Sequence, residues 1–169
     1  MTDERVGIVD QENVVLYQTT KSDAHKKGLL HQTVIAEVID KKGNWLLVKQ
    51  SASRQDPGQF VSPVGGRVQA GENLESALMR ETKEELGLAK FQFKYIGKYT
   101  FNRKIRQHIE NHFFIIFEIY SDQTPILNEE SQSYRKFTLN ELKKLLKTKP
   151  QLFGAAFHIV VEKIYGDFA

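Results

Sequence analysis

The sequence predicts an α/β protein in which a mixed β-sheet is covered by helices. Three observations predict this class. Short β-branched and apolar runs fill the first third of the chain, an amphipathic helical pattern lies mid-chain, and two further helical patterns close it. Because there is no internal repeat and no low-complexity linker, we expect one layered domain over residues 1–169.

The N-terminal half contains four predicted strands. Two short strands flank a turn at residues 10–13, and residues 1–30 are read as these strands plus a connecting segment with one helical turn. The runs TVIAEVID and NWLLVKQ are two more strands, separated by the turn signal KKGN. Residues 51–60 are predicted to form a loop that bends at Pro57-Gly58.

The C-terminal half contains two further strands and two helices. FQFKYIGKYTF and HFFIIFEIY are predicted strands, joined by a basic loop, NRKIRQH. Thr138 followed by Glu141 forms a capping box ahead of an amphipathic helix. A last helix is predicted over residues 152–165, so that residues 138–169 are mainly helical. Its apolar face consists of Phe153, Ala156, Phe157, Val160 and Ile164.

The composition supports a folded core and excludes several kinds of site. Hydrophobic residues make up 40% of the chain, which argues against global disorder. The formal charge of +3 is too small to indicate nucleic-acid binding. The absence of cysteine excludes disulfides, thiolate zinc sites and cysteine nucleophiles. Since neither a signal peptide nor a membrane-length apolar run is present, we expect a soluble, cytoplasmic protein.

The segment RETKEELGL, residues 80–88, places glutamates where an ordinary helix would carry leucine. We start a helix near Asn73 and advance about 100° per residue. The residues then expected to pack on the sheet are Leu74, Ala77, Leu78 and Leu88. Glu81 and Glu85 fall on that packed face, and Glu84 lies on its edge.

These positions carry an electrostatic cost that a bound cation would remove. Glu81 and Glu85 are a like-charge pair four residues apart, which costs a few tenths of a kcal/mol. Near the helix C-terminus, each anion costs a further ~0.3–1 kcal/mol. Carboxylate oxygens are suitable ligands for Mg²⁺ or Mn²⁺. On the helix alone, the alternative is an acidic amphipathic helix whose glutamates pair with lysines.

The loop before this helix completes a recognisable motif. SPVGGRVQAGE contains Gly65, Gly66 and Glu72, and it is not a P-loop because no Gly-Lys-Ser/Thr follows. Gly66, five residues, Glu72, seven residues and then RETKEELGL meet the positions of the Nudix box over residues 66–88. The one unusual residue is Thr82, which occupies a slot that is usually aliphatic. The sequence therefore resembles the Nudix superfamily.

The resemblance implies an α/β/α sandwich with a mixed sheet and a loop–helix–loop catalytic motif. It also implies hydrolysis of a nucleoside diphosphate linked to another group, with Mg²⁺, or alternatively Mn²⁺, as the cofactor. The metal ligands by position are Glu81, Glu84 and Glu85. Arg80 is then expected to orient the glutamates, and Glu72 to brace the loop.

Further site residues are candidates by type and place. The general base is Glu84 or a carboxylate beyond the motif. The carboxylates available there are Glu110, Glu129 and Glu130, of which we choose Glu130. The alternative is that these three are ordinary surface carboxylates without a catalytic role. Arginine suits bidentate phosphate binding, although loop arginines are commonly only solvated. The candidate substrate contacts are His25, Arg54, Arg67 and Arg103.

The N-terminal two thirds also resemble the branch of isopentenyl-diphosphate isomerase. AHKKGLLH, a following strand and PGQF ahead of the glycines carry this likeness. Those enzymes bind a metal through histidines that His25 and His31 echo. The isomerase's catalytic cysteine, its third metal histidine and its second acidic ligand fall on Gly65, Arg67 and His112. An isomerase-like Nudix hydrolase is therefore predicted, rather than an isomerase.

The expected partner is a small-molecule nucleoside diphosphate derivative, with no membrane and no nucleic acid. The oligomeric state stays open, a homodimer included. Two other functions remain as alternatives, a prenyl-diphosphate isomerase and a non-catalytic nucleotide-binding module that has kept the fold. The missing cysteine argues against the first, and the intact glutamates argue against the second.

Overall fold

Nine strands form one mixed sheet in residues 3–166, the part of the chain that the computed structural model describes. The strands are β1 Arg5–Val9, β2 Val15–Thr20, β3 His31–Ile39, β4 Trp45–Gln50, β5 Phe60–Val61, β6 Val64–Arg67, β7 Gln92–Ile105, β8 His108–Tyr120 and β9 Ser131–Phe137. The helices are α1 Lys21–Lys27, α2 Leu74–Leu86, α3 Leu139–Thr148 and α4 Ala155–Ile164, with a 3₁₀ turn at Pro150–Leu152. The outermost positions of the predicted domain, 1–2 and 167–169, lie outside the described residues.

Strand β3 is the centre of the sheet. It pairs antiparallel with β1, β4 and β6, and parallel with β8 from His31↔His112 to Ile39↔Tyr120. Because β3 has strands on both sides and helices on both faces, its run HQTVIAEVI is buried almost throughout. Its residues therefore lie close to most other parts of the fold.

The two faces of the sheet carry different helices, so the predicted α/β/α arrangement is confirmed. Helix α2 packs on one face, where Ala77, Leu78 and Leu86 join a core with Val34 and other residues of β3, β4 and β8. The opposite face is covered by α4, where Val160 packs with residues of β3, β7 and β8. Helix α3 and the end of α4 close a third apolar cluster around Trp45, Leu47 and Phe137.

Local signals in the sequence fix the ends of the helices. The side chain of Asn73 accepts a hydrogen bond from the Ser76 amide at 2.8 Å, and α2 ends at Gly87 in the left-handed region, φ 69°. Thr138 accepts from the Glu141 amide at 3.1 Å, as the capping box predicts. The Glu141 carboxylate pairs with Arg135.

Several expectations about single elements were wrong. The basic stretch NRKIRQH is not a loop, because β7 and β8 continue through it to a tight turn at Arg106, φ 55°. Its charges fit a strand since they have partners across the ladder, as Arg103 has in Glu110. The glycine loop contains strand β6, and β9 was not predicted. The last helix begins at Ala155, because a 3₁₀ turn and Gly154 precede it.

Within residues 3–166, no helix combines the length and the apolar character needed to cross a membrane.

Candidate active site

The glycines of β6 bring helix α2 against the sheet. Gly66 pairs with Val34 of β3, and the Glu81 carboxyl lies directly over its α-carbon. A Cβ added to Gly66 would lie 2.0 Å from Cδ of Glu81, closer than non-bonded atoms come. Only glycine therefore lets Glu81 sit here, with just 9% of its surface exposed.

Arg80 ties Glu81 to the loop that precedes the helix. Its guanidinium donates to both carboxylate oxygens of Glu72, at 2.8 and 2.9 Å, and to the Arg67 carbonyl at 3.0 Å. The remaining Nη1 donates to Glu81 Oε1 at 2.6 Å. Glu72 also accepts from the Gln69 amide at 3.0 Å, and its bond to Arg80 lowers the pKa of the Glu72 carboxyl. Arg80 and Glu72 thus fix both ends of the loop relative to α2.

Glu85 carries a carboxyl group that its surroundings do not favour in the ionised form. Burial raises its pKa well above the usual value, and the nearby charges of Glu81 and Glu130 add to this effect. The Gly65 amide donates to Glu85 Oε2 at 2.9 Å, which only partly opposes the shift. Glu130 lies beside Glu85, so two acidic groups share one site.

The third glutamate of the motif is open to solvent. The Glu84 side chain is 56% exposed and lies 3.6 Å from Arg80. Among residues 3–166, no three acidic or histidine side chains already enclose a point where a metal ion could sit. Glu81 faces Arg80 and Glu85 faces the Gly65 amide. The oxygen donors nevertheless fit a hard cation, because a positive charge would relieve the repulsion between Glu85 and Glu130.

An open cleft lies beside Gly65 and Gly66. Its polar end includes Arg54, Arg67, Glu85 and Glu130, and its apolar wall includes Ile35, Phe101, Phe114 and Phe157. Clefts with apolar walls and a few charged groups commonly hold small-molecule ligands. The acidic site therefore lies at one end of a cleft of this kind.

The three predicted arginines have different surroundings. Arg54 lies 3.5 Å from Glu130, and Arg67 lies 3.5 Å from Glu4. The buried Nε of Arg54 has no hydrogen-bond partner within residues 3–166, whereas the Nε of Arg67 is the atom that faces Glu4. Arg103, in contrast, is held by two carboxylates.

Asp56 and Glu110 are the partners of Arg103. The guanidinium donates to both oxygens of Asp56, at 3.1 and 3.4 Å, and to Glu110 at 2.8 Å. Burial pushes the pKa of Glu110 upward, but the nearby His112, 3.8 Å away, and the hydrogen bond from Arg103 outweigh it and lower this pKa to about 2. Arg103 is therefore engaged in tying the 51–59 loop to β7 and β8.

The predicted contact His25 does not line the cleft. It lies in a group of four histidines, of which His25, His31 and His112 are buried; its ring centroid is 5.5 Å from His31 and 6.4 Å from His112. Burial lowers the pKa of His25 to about 4 and that of His31 to about 3, so both are neutral near pH 7. Thr33 Oγ1 lies 2.7 Å from Nδ1 of His112, which does line the cleft.

Sequence reasoning missed Asp56, Thr33 and His108 as members of these networks. The stretch HIENH carried a usable signal, because alternate residues of a strand share a face. His108, Glu110 and His112 meet that spacing in β8, and His108 lies 5.8 Å from His25 between ring centroids. No comparable signal identified Asp56, which lies in a loop.

Comparison with known proteins agrees with the geometry of the motif. The family model described as NUDIX domain matches residues 29–155. Nucleoside triphosphatase NudI of Klebsiella pneumoniae is 32% identical over 123 residues, which cover 67% of this chain and 86% of that protein. Isopentenyl-diphosphate Delta-isomerase 2 of Photorhabdus laumondii is 28% identical over 162 residues, or 94% and 91% of the two chains.

A solved structure supports the same fold. The crystal structure of DR0079 from Deinococcus radiodurans has a TM-score of 0.76 at 22% identity, covering 96% of this chain and 99% of that one. At this identity the likeness concerns the fold alone. The family match extends over three quarters of the sequence and includes the whole glutamate motif. This chain therefore belongs to the NUDIX domain family and is a Nudix hydrolase.

Proposed function

We propose that this hydrolase cleaves a diphosphate linkage in a nucleoside diphosphate derivative and requires Mg²⁺. The observation that carries the proposal is the placement of Glu81 and Glu85 against Gly65 and Gly66, at the polar end of the cleft. Carboxylates in this arrangement repel one another unless a cation lies between them. A diphosphate bound at the same end supplies further anionic oxygens to that cation.

The metal would be held by Glu81, Glu84 and Glu85, of which Glu84 must turn inward from solvent. When bound, the cation neutralises charge on the diphosphate and lowers the pKa of the attacking water. Arg80 keeps Glu81 in place, because the guanidinium is itself fixed by both oxygens of Glu72. These contacts position ligands for the reaction without touching the substrate.

The remaining groups of the cleft bind the substrate or take the proton of the attacking water. Arg54 and Arg67 line the cleft, and their guanidinium groups suit phosphate oxygens. Glu130 is our candidate for the base that takes the proton of the attacking water, because it reaches the site from outside α2. Glu84 is the alternative base. The apolar wall around Phe101 and Phe157 is then left for the organic group of the substrate.

An isomerase acting on prenyl diphosphates is the second candidate, favoured by the likeness to the Photorhabdus enzyme. The site at Gly65 argues against it. A Cβ there would meet nothing within 4 Å, so space for a side chain exists, but glycine offers no group to move a proton. A non-catalytic nucleotide-binding module is disfavoured by the complete set of glutamates.

A hydrolysis screen tests the proposal. Purified protein is incubated with Mg²⁺ and nucleoside diphosphate sugars, dinucleoside polyphosphates, nucleoside di- and triphosphates, coenzymes and isopentenyl diphosphate. We expect phosphate-containing products from at least one nucleotide and no isomerisation. Turnover of isopentenyl diphosphate alone would support the isomerase. Nucleotide-induced thermal stabilisation without turnover of any compound would support the binding module.

A further inference from the structure

Glu37 is a fully buried carboxyl group beside the cleft, and the Nudix motif does not account for it. It lies in the middle of β3 and has no exposed surface. Thr33 and Ile35 occupy the same face of this strand, since alternate residues of a strand share a face, and both line the cleft. Glu37 therefore continues the cleft wall inward, beneath the surface.

The polar contacts of Glu37 are few. Ser62 forms a hydrogen bond with Glu37 Oε1, and Glu37 Oε2 has no partner within residues 3–166. On β8, Glu118 pairs with Glu37 in register, and its own oxygens accept from Tyr120 at 2.7 Å and from Tyr165, after α4, at 2.6 Å. Since the nearest charged group is another acid, no cation offsets a charge on Glu37.

These surroundings keep Glu37 neutral near pH 7. Burial, and to a smaller degree the charge of Glu118, raises the pKa of Glu37 to about 8 although Ser62 opposes the shift. The proton belongs on Oε1 for a physical reason. On Oε1 it donates to Ser62 and leaves only an unpaired carbonyl oxygen. On Oε2 it would be a buried donor without an acceptor, which proteins avoid more strictly.

The direction of the hydrogen bond between Glu37 and Ser62 determines whether the Ser62 hydroxyl can donate a hydrogen bond to a ligand in the cleft. Ser62 lines the cleft, and a bend at Pro63 separates it from β6 and Gly65. Because Ser62 lies outside the glutamate motif, we expect it to face the organic group of a substrate rather than the diphosphate. A hydroxyl that accepts from Glu37 has its own hydrogen free.

We propose that Glu37 is a positioning residue that donates to Ser62 Oγ, so that the Ser62 hydroxyl donates to an acceptor atom on the organic group of the substrate. The acceptor is a carbonyl oxygen or a ring nitrogen, as nucleobases carry. This inference rests on the proposed hydrolysis of a nucleoside diphosphate derivative. Once Glu37 is ionised, Ser62 donates to Glu37 and offers the cleft only acceptor lone pairs.

Four proteins separate this role from a structural one: the wild type, Glu37→Gln, Glu37→Leu and Ser62→Ala. The glutamine amide donates to Ser62 at every pH, whereas leucine never does. Infrared spectra first establish whether the wild type has a protonated carboxylic acid band that Glu37→Gln lacks. KM and kcat are then measured on either side of pH 8 with Mg²⁺, using whichever of ADP-ribose, UDP-glucose and GTP the wild type hydrolyses fastest. If none of the three is hydrolysed, the dissociation constants of their complexes with the four proteins are compared instead.

We expect the wild-type KM to rise about three- to tenfold through pH 8, which is the value of one neutral hydrogen bond. Glu37→Gln should keep the low KM at high pH, while Glu37→Leu and Ser62→Ala should show the raised KM at every pH with kcat little changed. A missing infrared band overturns the inference whatever the hydrolysis shows. So does a band accompanied by equal KM values in all four proteins. If no nucleotide of the hydrolysis screen is hydrolysed or bound, the proposed function fails and the inference fails with it.

Discussion

The Glu81 carboxyl occupies the space that any side chain on Gly66 would need. The gap of 2.0 Å between a Gly66 Cβ and Cδ of Glu81 leaves no room for even a methyl group. Gly66→Ala should therefore force the Glu81 carboxyl out of its place beside Arg80 and cost about 1–3 kcal/mol of unfolding free energy, as overpacking does. Urea denaturation measures the loss.

Gly65→Ala is the matched control for that prediction. A Cβ on Gly65 meets nothing within 4 Å, and the residue has no positive φ. We expect its unfolding free energy to stay close to that of the wild type. Equal stability of the two alanine variants would mean that Glu81 does not rest on Gly66.

Arg80 acts through the shape of its guanidinium as well as its charge. Lysine keeps the charge but cannot hold both oxygens of Glu72 and still reach Glu81. Arg80→Lys should lower kcat/KM by about 10–100-fold, the usual effect of partners that orient metal ligands. The exposed neighbour Lys83 supplies the control, because Lys83→Gln should leave kcat/KM unchanged. Full activity of Arg80→Lys would show that the charge alone suffices.

Acid should destabilise the fold through the buried histidines. The pKa of His31 is about 3 in the folded protein and near the ordinary 6.5 when unfolded, so the unfolded state binds the proton first. Its contribution to stability is complete above pH 6.5 and is lost as pH falls toward 3. The contribution of His25 is lost in the same way as pH falls from 6.5 toward its folded-state pKa of about 4.

The slope of unfolding free energy against pH measures this effect. Each histidine contributes up to about 1.4 kcal/mol per pH unit between its two pKa values. His31→Gln should remove one such contribution, while His158→Gln, a change outside the cluster, should keep the wild-type slope. An unchanged slope in His31→Gln would contradict the assigned state of His31.

Mg²⁺ binding should release protons. Burial and the neighbouring glutamates raise the pKa of Glu85 well above its usual value, and a cation favours the ionised form. The Mg²⁺ affinity should therefore increase with pH, and calorimetry in buffers of different ionisation enthalpy should detect the proton. Glu130→Gln should reduce this dependence because it removes one charge beside Glu85. A pH-independent affinity with no proton release would refute the placement of the metal at Glu85.

Residues with strong local signals were predictable from the sequence. The caps at Asn73, Gly87 and Thr138, and the packed positions of Glu81 and Glu85, follow from propensity and helical spacing. The layered fold follows from the order of strands and helices. The caps and the helical faces depend on contacts between residues a few positions apart, and the spacing of residues in the sequence indicates such contacts directly.

Features that depend on distant contacts were not predictable. Arg103 looked like part of a charged loop, because its partner Asp56 comes from another loop, 47 residues away. Strand β9 is mostly exposed, so its pattern lacks a buried face. Glu37 is one polar residue in an apolar strand, and the burial and the neighbouring Glu118 that raise its pKa come from the fold. Such residues take their roles from the fold rather than from their neighbours in sequence.

The central claim is that the glutamates of α2 hold a catalytic cation, and Glu85→Gln tests it most directly. The change keeps the size of the side chain and its bond to the Gly65 amide, but removes the charge. Glu75→Gln, an exposed change on the same helix, is the control. kcat is measured with the best substrate of the screen and saturating Mg²⁺. We expect it to fall by more than about a hundredfold in Glu85→Gln, which is a larger loss than residues that only orient metal ligands cause. In Glu75→Gln we expect kcat to stay unchanged. A folded Glu85→Gln protein with wild-type kcat would contradict the claim.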